Sequence, residues 1–252
     1  MRPQLPPSVG GDGRRNPKAS ELIARGLANH IIDSNLPEGS MLPTEREMVE
    51  TLGVGRTTLR EALRLLETRG VIRIRPGPRG GPVVRRPRPA DLGVALTLIL
   101  QFEGASLADV MDARETLEPT IARLAASRVT DEQLAELAKY VRAGGASEDD
   151  PDAFLHENER FHSLVAEACR SVVLQVFSDS LKSIADGAFA GVKYSPTRRR
   201  AVLDAHARIL RALQARDGAE AELAMRAHLE EARRYWESKY ADLMARPVHW
   251  VH

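Results

Sequence analysis

The chain has 252 residues, room for one large domain or two modest ones, and its 43% apolar and 4% aromatic content points to helices packed by Leu and Ala. A net charge of +1 conceals a division: residues 1–90 hold 16 basic against 9 acidic side chains and residues 91–252 hold 20 against 26, so a part suited to a polyanion precedes a part suited to something else. One cysteine, Cys169, excludes an intramolecular disulfide and fits a reducing cytoplasm, and no apolar run reaches the roughly 18–20 residues of a membrane span or forms a signal-peptide core.

Residues 1–17, with Pro3, Pro6, Pro7, Gly10, Gly11 and Gly13, read as a disordered N-terminal arm. A helix is predicted over Lys18–Ser34, with Leu22, Ile23, Leu27, Ile31 and Ile32 facing inward, and Leu36-Pro37-Glu38-Gly39 is a turn. The stretch Leu42–Leu66 then reads as two short helices. Thr44 and Glu47 have the spacing of a capping box. Met48, Val49 and Leu52 follow at helical spacing, and Gly53 breaks the helix. A second helix opens at Gly55-Arg56-Thr57-Thr58, with Leu59, Leu63 and Leu66 as its apolar face. Arg56 and Arg60 crowd a first turn whose dipole disfavours cations. An external polyanion explains them, because a helix-turn-helix sets the start of its second helix against base edges. A solvated Arg-rich face is the alternative.

After Gly70 the period changes to alternation. Val71–Arg75 and Val83–Arg86 are predicted strands, with turn residues Pro76–Gly81 between them. Such a hairpin is a wing, and Arg73, Arg75, Arg79, Arg85 and Arg86 suit phosphates, or form the exposed face of an edge hairpin. Residues 42–84 together, LPTERE…LGVGRTTLREALRLLETRGVI…GPRGGPVV, resemble the winged helix-turn-helix of the GntR family of bacterial transcription regulators. The resemblance implies that Arg46, Arg56 and Arg60 contact bases and phosphates, that Thr57 and Thr58 hold phosphates or bases, and that Gly77 sits at the wing tip with Arg79 beside it. Gly55 departs from it, standing where the family usually has Ser or Thr.

Pro87-Arg88-Pro89 reads as a stiff linker. Everything beyond is predicted helix: Ala90–Phe102, Leu107–Ser127, Thr130–Val141, Asp152–Cys169, Val172–Ala190, Thr197–Ala215 and Ala219–Met244, with a loop at Gly144–Pro151 and a tail over 245–252. The fold class is therefore mostly α: a winged helix-turn-helix over 18–86, then an all-α antiparallel bundle over 90–244. Val94, Leu96, Leu98, Ile99 and Leu100 make one segment apolar almost all round, which calls for burial on more than one side. One recognition helix covers too few base pairs to select a genomic site, so a homodimer on a pseudo-palindromic double-stranded operator is expected, held through the first helices of the bundle.

Asn158 and His162 share a helix face, while His206 and His228 face the way their apolar neighbours Ile209, Leu213, Met225 and Leu229 face. Three imidazoles aimed into a bundle are costly unless something takes their lone pairs. A divalent metal does so; ordinary core histidines are the alternative. The segments Ala113–Pro119, Asn158–His162, Asp204–His206 and Met225–Leu229 resemble the all-helical FCD effector domain of the FadR-type branch of GntR regulators. The resemblance implies a zinc, nickel or manganese ion on Asn158, His162, His206 and His228, although the family often has Asp at the first of these. It also implies a small carboxylate effector near Arg114, which could instead simply pair with Glu118 four residues on. Neutral imidazole is needed for the metal, so loss is expected as pH falls through about 6. Three His with an open position also suit a catalytic zinc, but Glu157 and Glu159 are placed on other faces of their helix and no nucleophile stands out. A metal-dependent enzyme fused to a DNA reader, or a purely structural metal, stays as the second possibility. His30, His156, His249 and His252 read as surface residues.

Overall fold

Leu59, Ala62, Leu63 and Leu66 are spaced three and four apart, and that stripe is what the first unit folds around. In the computed structural model, which describes residues 18–77, 80–146, 151–188 and 194–249, the chain divides into two compact units, Met1–Asp91 and Leu92–His252. The first holds α1 (Ala19–Asp33), α2 (Glu45–Leu52), α3 (Arg56–Thr68), β1 (Ile72–Arg75) and β2 (Gly81–Val84). Leu59 and Ala62 are fully buried, and Ile23, Met48, Ile72 and Val84 pack with them. A Leu59→Ala cavity at this centre costs about 2–5 kcal/mol.

The strands pair antiparallel with Ile72 opposite Val84 and Arg75 opposite Gly81. The second strand therefore begins two residues before the expected Val83. Pro82 tolerates this because its missing N–H is not required of the pairing with β1, while its carbonyl accepts from Leu42 N at 2.9 Å. The segment Gly39–Leu42 lies on the other side of β2, bridging Met41 to Val83, a partner no sequence period announced.

Pro89 opens α4 (Pro89–Phe102), so the expected linker is shorter by one residue. Proline suits a first helical position, where no N–H is needed. Asp91 Oδ2 accepts from Arg88 N at 2.7 Å and so closes the helix start.

The second unit continues with α5 (Leu107–Arg128), α6 (Asp131–Ala146), α7 (Pro151–Ala168), α8 (Val172–Ala188), α9 (Pro196–Gln214), α10 (Gly218–Lys239) and α11 (Ala241–Met244). α5 is the central member, in contact with α7, α8, α9 and α10. Its capping box of Ser106 and Asp109 fixes where it starts. Ile121, Ala122, Ala125 and Ala126 sink into one core with Phe161, Ile209 and Leu213. Leu107, Val110 and Met111 join a second core with Ile184, Trp236 and Met244. α6 opens on the expected Thr130–Gln133 box but runs to Ala146, past the Gly144 taken as a loop start. Glycine lowers helix propensity by ~1 kcal/mol without blocking the helix.

The expected single helix 219–244 is broken at Tyr240, whose φ of −139° leaves the helical region. The Tyr240 ring is held against Trp236 at 5.3 Å. The stretch after α11 is not a loose tail up to residue 249. Leu107 N donates to Arg246 O, Val248 N donates to Ala105 O, and Val248 is buried. Among the described residues no helix is long and apolar enough to cross a membrane.

Candidate functional site

The first unit carries the candidate DNA interface. Thr44 Oγ1 accepts from Glu47 N, and Glu47 Oε2 accepts from Thr44 N at 2.8 Å, so α2 starts as its sequence requires. These bonds from Thr44 hold the Glu47 carboxyl below the usual range. Gly53, at φ 65°, supplies the left-handed residue that ends α2. Gly55 caps α3 with no side chain, and that helix has no acidic residue in its first turn. Arg56, Thr57 and Arg60 stand exposed there, with Thr58 half-buried. Arg60 Nε donates to Glu45 at 2.8 Å, and Arg46 Nε to Glu50 at 3.2 Å. Both pairs are solvated surface contacts, weak enough to yield to a phosphate or a base.

In the wing, Arg73 and Arg75 are exposed, and Gly77 takes φ 103°, a conformation that favours glycine. Arg79 lies outside the described residues, as do residues 1–17 and His252. Arg85 departs from expectation. It donates to both Asp91 oxygens, at 2.9 and 3.2 Å, so its charge is spent inside the protein.

The second unit carries a cluster of imidazoles. His162 comes from α7, His206 from α9 and His228 from α10, each at most 5% exposed. Their ligating nitrogens all lie within 4.8 Å of one another. His162 Nε2 and His228 Nε2 are 3.2 Å apart, and Phe161 stacks on His206 at 3.9 Å. His162 Nδ1 meets Glu118 Oε2 at 2.7 Å, and Arg114 Nε donates to Glu118 Oε1 at 2.6 Å. Arg114, Glu118 and His162 thus form one buried chain, which turns the His162 Nε2 lone pair toward the other two rings.

Burial opposes ionisation of Glu118, but Arg114 and His162 outweigh it and hold that carboxyl well below its ordinary range. Burial pushes His206 and His228 well below 6.5, and the neighbouring imidazoles push the same way. Both are therefore neutral at physiological pH, held below the ordinary imidazole value.

The set fits a divalent cation. His206 Nε2 is buried with no hydrogen-bond partner. Two nitrogens that share one ion at about 2.0–2.1 Å lie about 3.0–3.4 Å apart, as His162 and His228 do. Asn158, one turn before His162, lines a cavity together with His162 and His228.

That cavity has a volume of about 220 Å³ and is walled by Met111, Arg114, Leu155, Tyr194, Arg198 and Trp236, among others. Glu159 also lines it, although the helical period placed this residue on another face; its long side chain reaches across the roughly 100° that separates it from Asn158. A shallower groove of about 350 Å³ runs past Asp204, Arg208 and Arg211 and holds none of the imidazoles.

Three buried charged side chains were missed in the sequence. Glu118 read only as a partner for Arg114, yet it also holds His162. Arg198 and Arg199 sit in a run of three arginines that looks like a solvated helix start, yet they are 7% and 5% exposed. The signal was present: Arg198, Val202 and His206 are four apart, one stripe of α9. Arg198 donates to Glu231 at 2.7 Å and lies over the Tyr235 ring at 4.9 Å. His30, His156 and His249 are exposed, as expected.

Residues 19–80 match the family described as bacterial regulatory proteins, gntR family, and residues 109–231 match the FCD domain. An HTH-type transcriptional repressor NanR of Salmonella newport is 30% identical over 249 residues, which cover 92% of each chain. The protein of the same name from Klebsiella aerogenes is 29% identical over 244 residues, 91% of each. The solved structure titled Streptococcus agalactiae GntR is 31% identical, covers 85% of this chain and 99% of its own, and superposes with a TM-score of 0.63. With a winged helix-turn-helix in one unit, an FCD ligand-binding domain in the other and regulators rather than enzymes as relatives, the chain belongs to the GntR family of DNA-binding bacterial transcription regulators, in its FCD-containing branch.

Proposed function

We propose that this regulator binds its operator as a homodimer and acts as a repressor, and that a small carboxylate effector, bound at a divalent metal in the helical unit, sets its affinity for DNA. The observation that carries the effector half is the convergence of three buried imidazoles, one with an unpartnered nitrogen, two of which line a cavity of about 220 Å³. His162, His206, His228 and the Asn158 amide oxygen would hold the ion, with zinc the first candidate and nickel or manganese the others. A bound ion supplies coordination positions for a carboxylate with an adjacent hydroxyl or keto oxygen. The protein's part is to keep His206 and His228 neutral, aim His162 through Glu118, and surround the ligand with Arg114 and Arg198. The effector acts on DNA only through its differential affinity for two arrangements of the molecule. The repressor assignment follows the relatives, which are transcriptional repressors.

A thermal-shift screen of organic acids with and without added zinc, nickel or manganese tests this. The expected result is an acid that raises the melting temperature only when metal is present, and a response lost in His162→Ala. No metal by elemental analysis in protein purified without chelator, together with an unchanged effector response in the triple His162, His206 and His228→Ala variant, would sink the metal reading. Turnover of the acid would point instead to an enzyme.

A further inference from the structure

The two arginines of the cavity wall differ in what holds them. Arg114 is matched by Glu118, whose side chain is only 4% exposed, at 2.6 Å. Arg198 is buried too, but its partner Glu231 has 39% of its side chain accessible. Water screens that pair at one end, so it is easily exchanged. Arg198 Nε is buried with no hydrogen-bond partner. A buried charged donor without an acceptor is unfavourable, and an incoming anion relieves it. The guanidinium is seated on the Tyr235 ring, which keeps it in place.

Its position along the cavity follows from α10. Glu231 is three residues past His228, about 4.5 Å of helix rise. The Arg198 head, hydrogen-bonded to Glu231, is therefore roughly one turn along the cavity from the imidazole cluster.

We propose that Arg198 anchors a second acidic group of the effector, which makes the ligand a short hydroxy- or keto-dicarboxylate rather than a simple monoacid. This rests on the cavity being the effector site. One end of the ligand belongs to the imidazole end of the cavity. The far carboxylate takes Arg198 Nε and a terminal nitrogen as a two-pronged fork. Glu231, already facing solvent, is released to water. The cavity of about 220 Å³ is below the roughly 300–1,000 Å³ of sites for drug-sized ligands, as suits a short metabolite.

Calorimetric titration of the zinc-loaded full chain with L-malate and L-lactate tests the assignment. The two acids share a hydroxy-carboxylate end, and only malate has a second carboxylate. Malate is expected to bind roughly 10- to 100-fold tighter than lactate. Arg198→Gln should remove that advantage while zinc content, followed by elemental analysis, reports a loaded site. Arg198→Lys, which keeps the charge but not the fork, should restore part of it. Equal affinities in the wild type, or a malate advantage that survives Arg198→Gln, would overturn the anchor; zinc-dependent binding of both acids would then leave the effector site standing. Binding of neither acid at millimolar concentration would overturn the anchor and the effector site together. The wild-type comparison needs no variant, so a poorly folded Arg198→Gln does not shelter the proposal.

Discussion

Glu118 is 3% exposed and touches two other buried side chains at once, Arg114 at 2.6 Å and His162 at 2.7 Å. Removing one member of a buried ion pair strands the other, at about 3–5 kcal/mol. Glu118→Ala is therefore expected to lower unfolding free energy by about that amount, measured by urea titration. It should also weaken metal binding about 10- to 100-fold, because His162 loses the group that orients its ring. Unchanged metal affinity would mean that Glu118 serves the fold alone. Asn158 offers the opposite change. Asn158→Asp adds a charge to an otherwise neutral ligand set, so metal should resist chelator longer, followed by a zinc dye. Faster loss would remove Asn158 from the ligand set.

At the scale of the element, α3 and the wing are expected to divide the work on DNA. Arg56→Ala and Arg60→Ala should each weaken operator binding by about 1–3 kcal/mol if these side chains read bases. Intact affinity in both variants would mean that α3 is not the recognition helix. Arg73→Ala or Arg75→Ala should lower the slope of log affinity against log salt by about one. Arg85→Ala should leave that slope alone and cost about 1 kcal/mol of stability, since Arg85 is paired with Asp91. The start of α3 can also be improved. Gly55 has an ordinary φ of −69°, and a Cβ added there meets only Thr58 Oγ1 at 3.8 Å. Gly55→Ser should stabilise the unit by a few tenths of a kcal/mol through its hydroxyl cap, read as a shift of the urea midpoint.

At the scale of the whole molecule, two properties follow. Among the residues of α4, Leu96 and Leu100 pack inward, but Val94, Leu98, Ile99 and Phe102 are exposed, Phe102 to 85%. The burial on several sides that the sequence called for is thus incomplete within one chain. A second copy covering this face is the expected remedy, and sedimentation at micromolar concentration should report a dimer that Ile99→Asp weakens. A monomer with full operator affinity would count against it. The other property is acid sensitivity. His206 and His228 titrate well below 6.5 when folded and near 6.5 when unfolded. The unfolded chain therefore takes up more protons below 6.5, and stability falls as pH drops through that value, by up to about 1.4 kcal/mol per pH unit for each His. Glu118, held below 4.5, adds its loss only below 4.5. Chelator-treated protein should show a lower urea midpoint at about pH 5.5 than at about pH 7.5. A midpoint that holds or rises would mean that these imidazoles are not buried neutral.

The sequence by itself determined the elements and which histidines turn inward together. Capping boxes at Thr44, Ser106 and Thr130, glycine stops and the three-four spacing of Leu59, Leu63 and Leu66 are local signals, and local signals survive without a neighbour to confirm them. The cluster of His162, His206 and His228 was legible because His206 and His228 each ride with apolar neighbours on their own helix. What lay beyond is set by pairing between distant segments, which no period encodes. Only the packing of α5 against α7 brings Glu118 to His162, forty-four residues away. Only the packing of α9 against α10 buries Arg198 over Tyr235 and leaves its Nε without a partner. Arg85 shows the same rule from the other side: its hairpin position suggested a phosphate contact, and the start of α4 took the charge instead. A residue's type and period say which face it occupies, but a charge is spent on whatever group the tertiary structure brings within reach.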